Sequence, residues 1–465
     1  MTYTQAYAPK STENLGTDLR LRSGNTVNHQ NKLDIDPDLI ELFGKGRDMA
    51  GTALLRIENN RRENFMKVLE AFRAVGISDQ DFAGTTGYGY DDRGREVTEE
   101  VYAKVFGAES ALVRHQIASG TQALSLCLFG LLLPGDEILF ANGKPYDTLQ
   151  VVVGMDKQVP GCLAELGITW RVAPGEAVEN CAATGTGCSK ALTVFGDKEI
   201  DAIVNSIGDR TRVVFIQRSR GYSWQRSLSC QTISKIVAAV KARRPDVAVV
   251  VDNCYGEFTE TVEPIEVGAD IIAGSLIKNP GGGIAPTGGY IVGRRDLVER
   301  IATRLTAPGI GGEIGPSLNT SRLMLQGLFL APQMVAESLF GTCVAKHVFR
   351  LLGYPTLPDA NEVPSDNVLA VRMGDEERLL TFCQGFHLAS PVNALYRPET
   401  SQLPGYAHSV IMAGGTFVQG SSSELTVDAP ICPPYIMYMQ GGLFRYHVEL
   451  AVLSGLTALK KQNLL

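Results

Sequence analysis

The chain has 465 residues, 44% hydrophobic and 20% charged, with a formal net charge of −7. That length exceeds one ordinary domain and allows a large apolar core. The mildly acidic balance argues against a nucleic-acid partner, because the densest basic run, Lys241-Ala242-Arg243-Arg244, ends an amphipathic helix where cations favour the dipole.

Residues 1–32 are polar and rich in Thr, Asn and Ser, which predicts a loose arm. The apolar spacing over 36–75 predicts two helices, and a glycine-rich turn region follows over 82–96. A helix over 101–106, a strand over 111–113, a helix over 122–132 and a strand over 136–140 come next. An insertion rich in Gly, Cys, Ala and Thr covers 162–197. Strands and helices alternate again through 211–216, 233–240, 247–251, 270–273 and 289–292, which predicts a mainly parallel sheet covered on both faces. A long helical run over 317–352 leads into mixed elements of a smaller C-terminal domain. The domains expected are an arm and helix over 1–60, a large domain over 61–316, and a linker helix with a small domain over 317–465.

The longest near-continuous apolar stretch, 123–133, contains Ser125 and is too short to cross a bilayer. Nine scattered cysteines form no Cys-x-x-Cys pair, and the closest, Cys181 and Cys188, lack further zinc ligands nearby. Residues 1–10 show no basic and apolar regions of a secretory leader. These features predict a cytoplasmic protein with reduced thiols and no membrane partner.

Lys278 is the most informative residue. The strand Asp270-Ile271-Ile272-Ala273 runs into Gly274, Ser275 and the lysine, followed by Gly281-Gly282-Gly283. A lysine just past a buried strand meets a pocket wall, where burial is expected to lower its pKa and make the amine a nucleophile. Upstream, Val247-Ala248-Val249-Val250-Val251 ends in Asp252. A carboxylate and a lysine at neighbouring strand ends suit pyridoxal 5'-phosphate: the lysine bonds to the cofactor aldehyde and the aspartate keeps its ring nitrogen protonated. Ser119-Gly120-Thr121 opens a helix after a strand, and such a start offers backbone N–H groups to a phosphate.

This order resembles fold-type I pyridoxal-phosphate enzymes, with the aspartate-aminotransferase-like α/β architecture. The resemblance implies Ser275 as a phosphate-binding hydroxyl and Tyr146 as the ring over the cofactor. Gly87-Tyr88-Gly89-Tyr90-Asp91-Asp92-Arg93-Gly94-Arg95, Ile216-Gln217-Arg218-Ser219-Arg220-Gly221-Tyr222 and Gly309-Ile310-Gly311-Gly312-Glu313-Ile314-Gly315 are similar to motifs of the aluminium-resistance, or methionine gamma-lyase-like, family. That family implies a lyase that removes a thiol from a sulfur-containing amino acid. Lys278 would be the base and Tyr146 an acid. Tyr90 and Arg93 would reach the phosphate of a neighbouring subunit in a homodimer or homotetramer, or else Asp91 or Asp92 would hold a turn there. Arg445, Arg397 and Arg218 are candidates for the substrate carboxylate. Competing expectations are another pyridoxal-phosphate reaction (γ-replacement, aldol cleavage or decarboxylation) and a cofactor-binding protein without turnover linked to metal tolerance.

Overall fold

A computed structural model describes residues 33–174, 195–359, 362–403, 405–406 and 408–465. Cys181, Cys188 and most of the 162–197 insertion lie outside the described residues. The arm expected over 1–32 also lies outside the described residues, and Ile35–Leu465 is one compact unit that carries everything that follows.

Its large sheet contains β1 (Ser110–Arg114), β2 (Glu137–Phe140), β3 (Thr169–Val172), β4 (Thr211–Gln217), β5 (Ala248–Asp252), β6 (Ile271–Ser275) and β7 (Gly289–Gly293). They lie in the order β1-β7-β6-β5-β4-β2-β3. Every residue of β5 and β6 is buried. Continuous runs such as Val249-Val250-Val251 suit a sheet covered on both faces, where alternation is not needed. β5 and β6 are parallel, whereas β7 runs antiparallel to both β1 and β6. This is the expected aspartate-aminotransferase-like fold.

A second, antiparallel sheet contains β8 (Thr356–Leu357), β9 (Val368–Arg372), β10 (Thr400–Ser401), β11 (Val410–Ala413), β12 (Thr426–Pro430) and β13 (Ile436–Gln440). Its order is β10-β11-β12-β13-β9-β8.

The two helices expected over 36–75 are one helix, α1 (Pro37–Val75), 39 residues long, and the next is α2 (Arg93–Val105). Asp36 caps it by accepting the Asp38 N–H, and Gly76 closes it at φ 71°. The apolar periodicity fades in mid-helix because the inner face there is made of small residues, the buried Gly46 and Ala50. A Cβ on Gly46 would lie 2.7 Å from Val348 Cγ2, so these residues mark a close crossing of two helices. The boundary expected at residue 60 therefore falls inside α1.

The helix it crosses spans Ser321–Leu351 and has Pro332 within it. It is long and apolar enough to cross a membrane, and 83% of its most apolar window is buried inside the protein. It also presses on the turn after β6. A Cβ on Gly327 would lie 2.2 Å from the Gly281 carbonyl oxygen. Gly327→Ala is expected to lower the unfolding free energy by about 1–3 kcal/mol. Gly44→Ala, at a helical position with nothing within 4 Å, should raise it by roughly 0.5–1 kcal/mol. Urea unfolding midpoints check both, and an unchanged midpoint for Gly327→Ala would contradict the tight contact.

Candidate active site

Parallel register puts Asp252 opposite Ala273, so β6 continues past the sheet edge beside the Asp252 carboxylate. Ser275 ends the strand, and its carbonyl accepts the Lys278 N–H at 3.3 Å. Lys278 is half-buried, with Nζ 4.0 Å from the centre of the Tyr255 ring. Tyr255 sits at φ 70° and shares a 2.8 Å hydrogen bond with Ser422 Oγ. Asp252 is buried and accepts the Cys254 N–H at 3.1 Å. Burial raises its pKa, and Lys278 opposes that rise. The strand order thus brings together the two groups expected at one sheet edge.

The expected lowering of the lysine pKa is not what the structure gives. Burial does push the ammonium down, but the Cys254, Tyr255, Asp252 and Glu257 side chains around it outweigh burial and hold it above its ordinary value. The charged amine is stabilised by a carboxylate and by the face of an aromatic ring.

Helix α3 (Gly120–Leu131) starts beside this pair. Ser119 caps it by accepting the Gln122 N–H at 3.1 Å. Glycine at position 120 allows the close approach: a Cβ there would lie 3.2 Å from Ser275 Cβ and 3.5 Å from Cys254 Sγ. The first N–H groups of a helix lack intrahelical acceptors, so this junction can receive an anion. Thr121 Oγ1 lies 2.7 Å from Thr148 Oγ1, in helix α4 (Asp147–Val153). Tyr146 directly precedes α4, and its hydroxyl is 2.9 Å from that of Tyr406. Burial and the neighbouring Tyr406 hold its pKa well above the usual phenol range. Tyr222 packs against both, with ring centres at 5.4 Å from Tyr146 and 5.9 Å from Tyr406.

Tyr90 and Arg93 stand on the surface. Tyr90 is 63% exposed, and Arg93 pairs with Asp81 at 3.4 Å. Asp92 is the turn-holder between them, accepting the Arg95 N–H at 2.9 Å and the Ser317 N–H at 2.7 Å. The Gly87–Arg95 and Gly309–Gly315 motifs dock on each other: Arg95 donates to the carbonyls of Gly89, Gly315 and Glu313.

The arginine assignments need correction. Arg218 is fully buried and donates to Asn253 at 2.7 Å, Glu260 at 2.9 Å and Glu263 at 3.2 Å. Those acceptors take the place a substrate carboxylate would need. Arg445 is paired with Glu337 and lies 3.7 Å from the Phe340 ring centre. Arg397 is exposed and donates to Gln384 at 2.9 Å.

Several residues in the site escaped the sequence reading. Ser421 and Ser423 donate from their hydroxyls to the Ile277 carbonyl at 2.8 and 3.1 Å, fixing the lysine turn from the side of the second sheet. The serine run Ser421-Ser422-Ser423 was the available signal. Glu257 is also buried, accepting the Tyr290 hydroxyl at 2.7 Å. Burial pushes its carboxyl up to about 8.

A buried acid of that kind holds its proton more tightly folded than unfolded. Its contribution to stability is complete below pH 4.5 and is lost as pH rises to about 8. Glu257→Gln should remove a slope of at most about 1.4 kcal/mol per pH unit over that window. Urea titrations across it compare the two proteins, and identical pH profiles would contradict the assignment.

A methionine gamma-lyase family profile matches residues 42–460, and the chain belongs to that family. The Bacillus subtilis protein YnbB, itself uncharacterized, is 44% identical over 411 residues, covering 88% of this chain and 94% of its own. A Listeria monocytogenes structure, described as a candidate cystathionine beta-lyase involved in aluminium resistance, is 43% identical with a TM-score of 0.84. The match covers 90% of this chain and 99% of that one. A Clostridium novyi structure described as a carbon-sulfur lyase involved in aluminium resistance is 40% identical with a TM-score of 0.82. It covers 91% of this chain and 96% of that one.

Proposed function

We propose that the protein is a pyridoxal-5'-phosphate-dependent carbon–sulfur lyase that eliminates a thiol from a sulfur-containing amino acid. The observation carrying this reading is the convergence of Lys278, buried Asp252 and the α3 start on one edge of the sheet. The donor set fits the cofactor. Lys278 Nζ would hold it covalently, Asp252 would keep a proton on its ring nitrogen, and Ser119, Gly120, Thr121 and Ser275 would take its phosphate. Tyr146 would face its ring. Bound there, the cofactor supplies an electron sink that makes the substrate Cα–H bond acidic.

The rest of the chemistry belongs to side chains. Once the substrate amine takes its place on the cofactor, the released and uncharged Lys278 Nζ would be the base that takes the Cα proton, from a turn clamped by Ser421 and Ser423. Tyr146 keeps its proton at neutral pH, so its hydroxyl can give one to the leaving sulfur. The exposed Tyr88 and Tyr90, whose ring centres lie 5.8 Å apart, and the neighbouring Arg93 support a homodimer or homotetramer with shared sites. Buried thiols such as Cys127, Cys230 and Cys254 support a reducing, cytoplasmic setting.

Purified protein incubated with methionine, homocysteine, cystathionine or cysteine should yield a thiol and a 2-oxo acid from at least one. Lys278→Ala should abolish the product and the visible absorption band of the wild type. No product from any of the four would remove the lyase reading, and a band persisting in Lys278→Ala would remove the role given to that amine. Sedimentation should show a dimer or tetramer. A fully active monomer would exclude shared sites.

A further inference from the structure

Asp428, on β12, has no role in the chemistry above. Across the strands it pairs with Tyr438, and directly opposed residues of an antiparallel pair share one face. The Tyr438 ring centre lies 5.3 Å from that of Tyr222, which packs on Tyr146 and Tyr406. This face of the small sheet therefore looks onto the tyrosines of the lysine site. Gln440, two residues beyond Tyr438 and on the same face, donates from Nε2 to Asp428 Oδ2 at 2.7 Å. The carboxylate is aimed and held.

Asp428, Tyr146, Tyr222, Tyr255, Tyr406 and Lys278 are all half-buried, so each keeps some contact with solvent. Burial pushes the Asp428 carboxyl up to about 6, against the hydrogen bonds from Gln440 and Tyr222 and the field of Lys278. At neutral pH the carboxylate is mostly ionised. Asp252 would face the cofactor ring nitrogen, and Lys278 would be engaged in holding the cofactor. Asp428 then remains as a negative charge on the small-domain wall with tyrosine rings around it.

Resting on the lyase reading above, we propose that Asp428 selects the substrate by taking an ammonium group on its leaving half. The favoured substrates are amino-acid thioethers that carry a second amine, over plain alkyl thioethers such as methionine. A carboxylate–ammonium contact is charge-assisted. A neutral leaving half would strip water from the carboxylate and return no partner, which penalises the wrong substrate.

L-Lysine and L-norleucine separate the effect from turnover, since they differ by a terminal ammonium and neither has a sulfur leaving group. In calorimetric titrations of the cofactor-loaded protein at about pH 8, wild type should bind lysine at least about tenfold tighter. Asp428→Asn should bring the two within about twofold, and Asp428→Glu should restore part of the preference. Equal binding by wild type, or an undiminished preference in Asp428→Asn, would overturn the proposal. In turnover, Asp428→Asn should lower the ratio of kcat/KM for cystathionine over methionine by about thirtyfold or more. Equal losses on both substrates would also overturn it. If Asp428→Asn does not fold, Asp428→Glu gives the reading: a wild-type lysine preference left wholly unshifted by it would count against the carboxylate. Absent turnover with the lysine preference intact would strike the lyase reading and leave the role of Asp428 standing.

Discussion

The parallel register of β5 and β6 places a carboxylate and an ammonium at one sheet edge, and the surrounding structure is arranged to keep them there. Asp252 is buried, so its charge would be costly without a cation nearby. Lys278 supplies that cation from a turn rather than from a strand. A turn is free to wander unless it is clamped, and here it is clamped from two directions. Gly281 and Gly327 allow the long Ser321–Leu351 helix to press on the turn from one side. Ser421 and Ser423 hold the Ile277 carbonyl from the other. The backbone that carries the lysine is thereby fixed from both sides.

Legibility in the sequence followed the range of the interactions. The Val and Ile runs of β4, β5 and β6 are local statements of burial, and Asp252 and Lys278 are readable because one ends such a run and the other lies three residues past one. Ser119 is readable as a cap for the same reason. The middle of α1 is not readable, because its contact surface is made of Gly46 and Ala50, which look like breaks in an apolar pattern until the opposing helix is seen. Arg218 and Arg445 looked like substrate ligands because their partners Glu260, Glu263 and Glu337 are remote in sequence or lack a local signature. The antiparallel course of β7 likewise depends on where the chain crosses, which no strand pattern records.

The three sequence motifs that mark the family have mostly architectural roles. Gly87–Arg95 and Gly309–Gly315 are bonded to each other through Arg95 and through the Gly315 N–H, which donates to Tyr88 at 2.9 Å. In Ile216–Tyr222, Arg218 anchors the loop after β5. Ser219 and Arg220 both reach Asp366, just before β9, at 2.8 and 3.0 Å. That buried contact joins the large sheet to the small one. Of the three motifs, only the last sends a side chain, Tyr222, into the tyrosine cluster.

This division bears on what the family likeness can specify. Motifs that fix the junction between sheets set the width and orientation of the cleft, and they are compatible with many reactions on one scaffold. The residues proposed to hold the cofactor lie on the large-sheet side and would be needed by any of those reactions. Discrimination between substrates must then come from groups facing the part of the amino acid that differs, which is the side chain and its leaving group. The proposed groups are on the wall formed by the second sheet, where Asp428, Gln440 and Tyr406 meet the tyrosines of the large-sheet side. Exchange of a few residues on that wall could redirect the chemistry while leaving Lys278, Asp252 and every family motif unchanged.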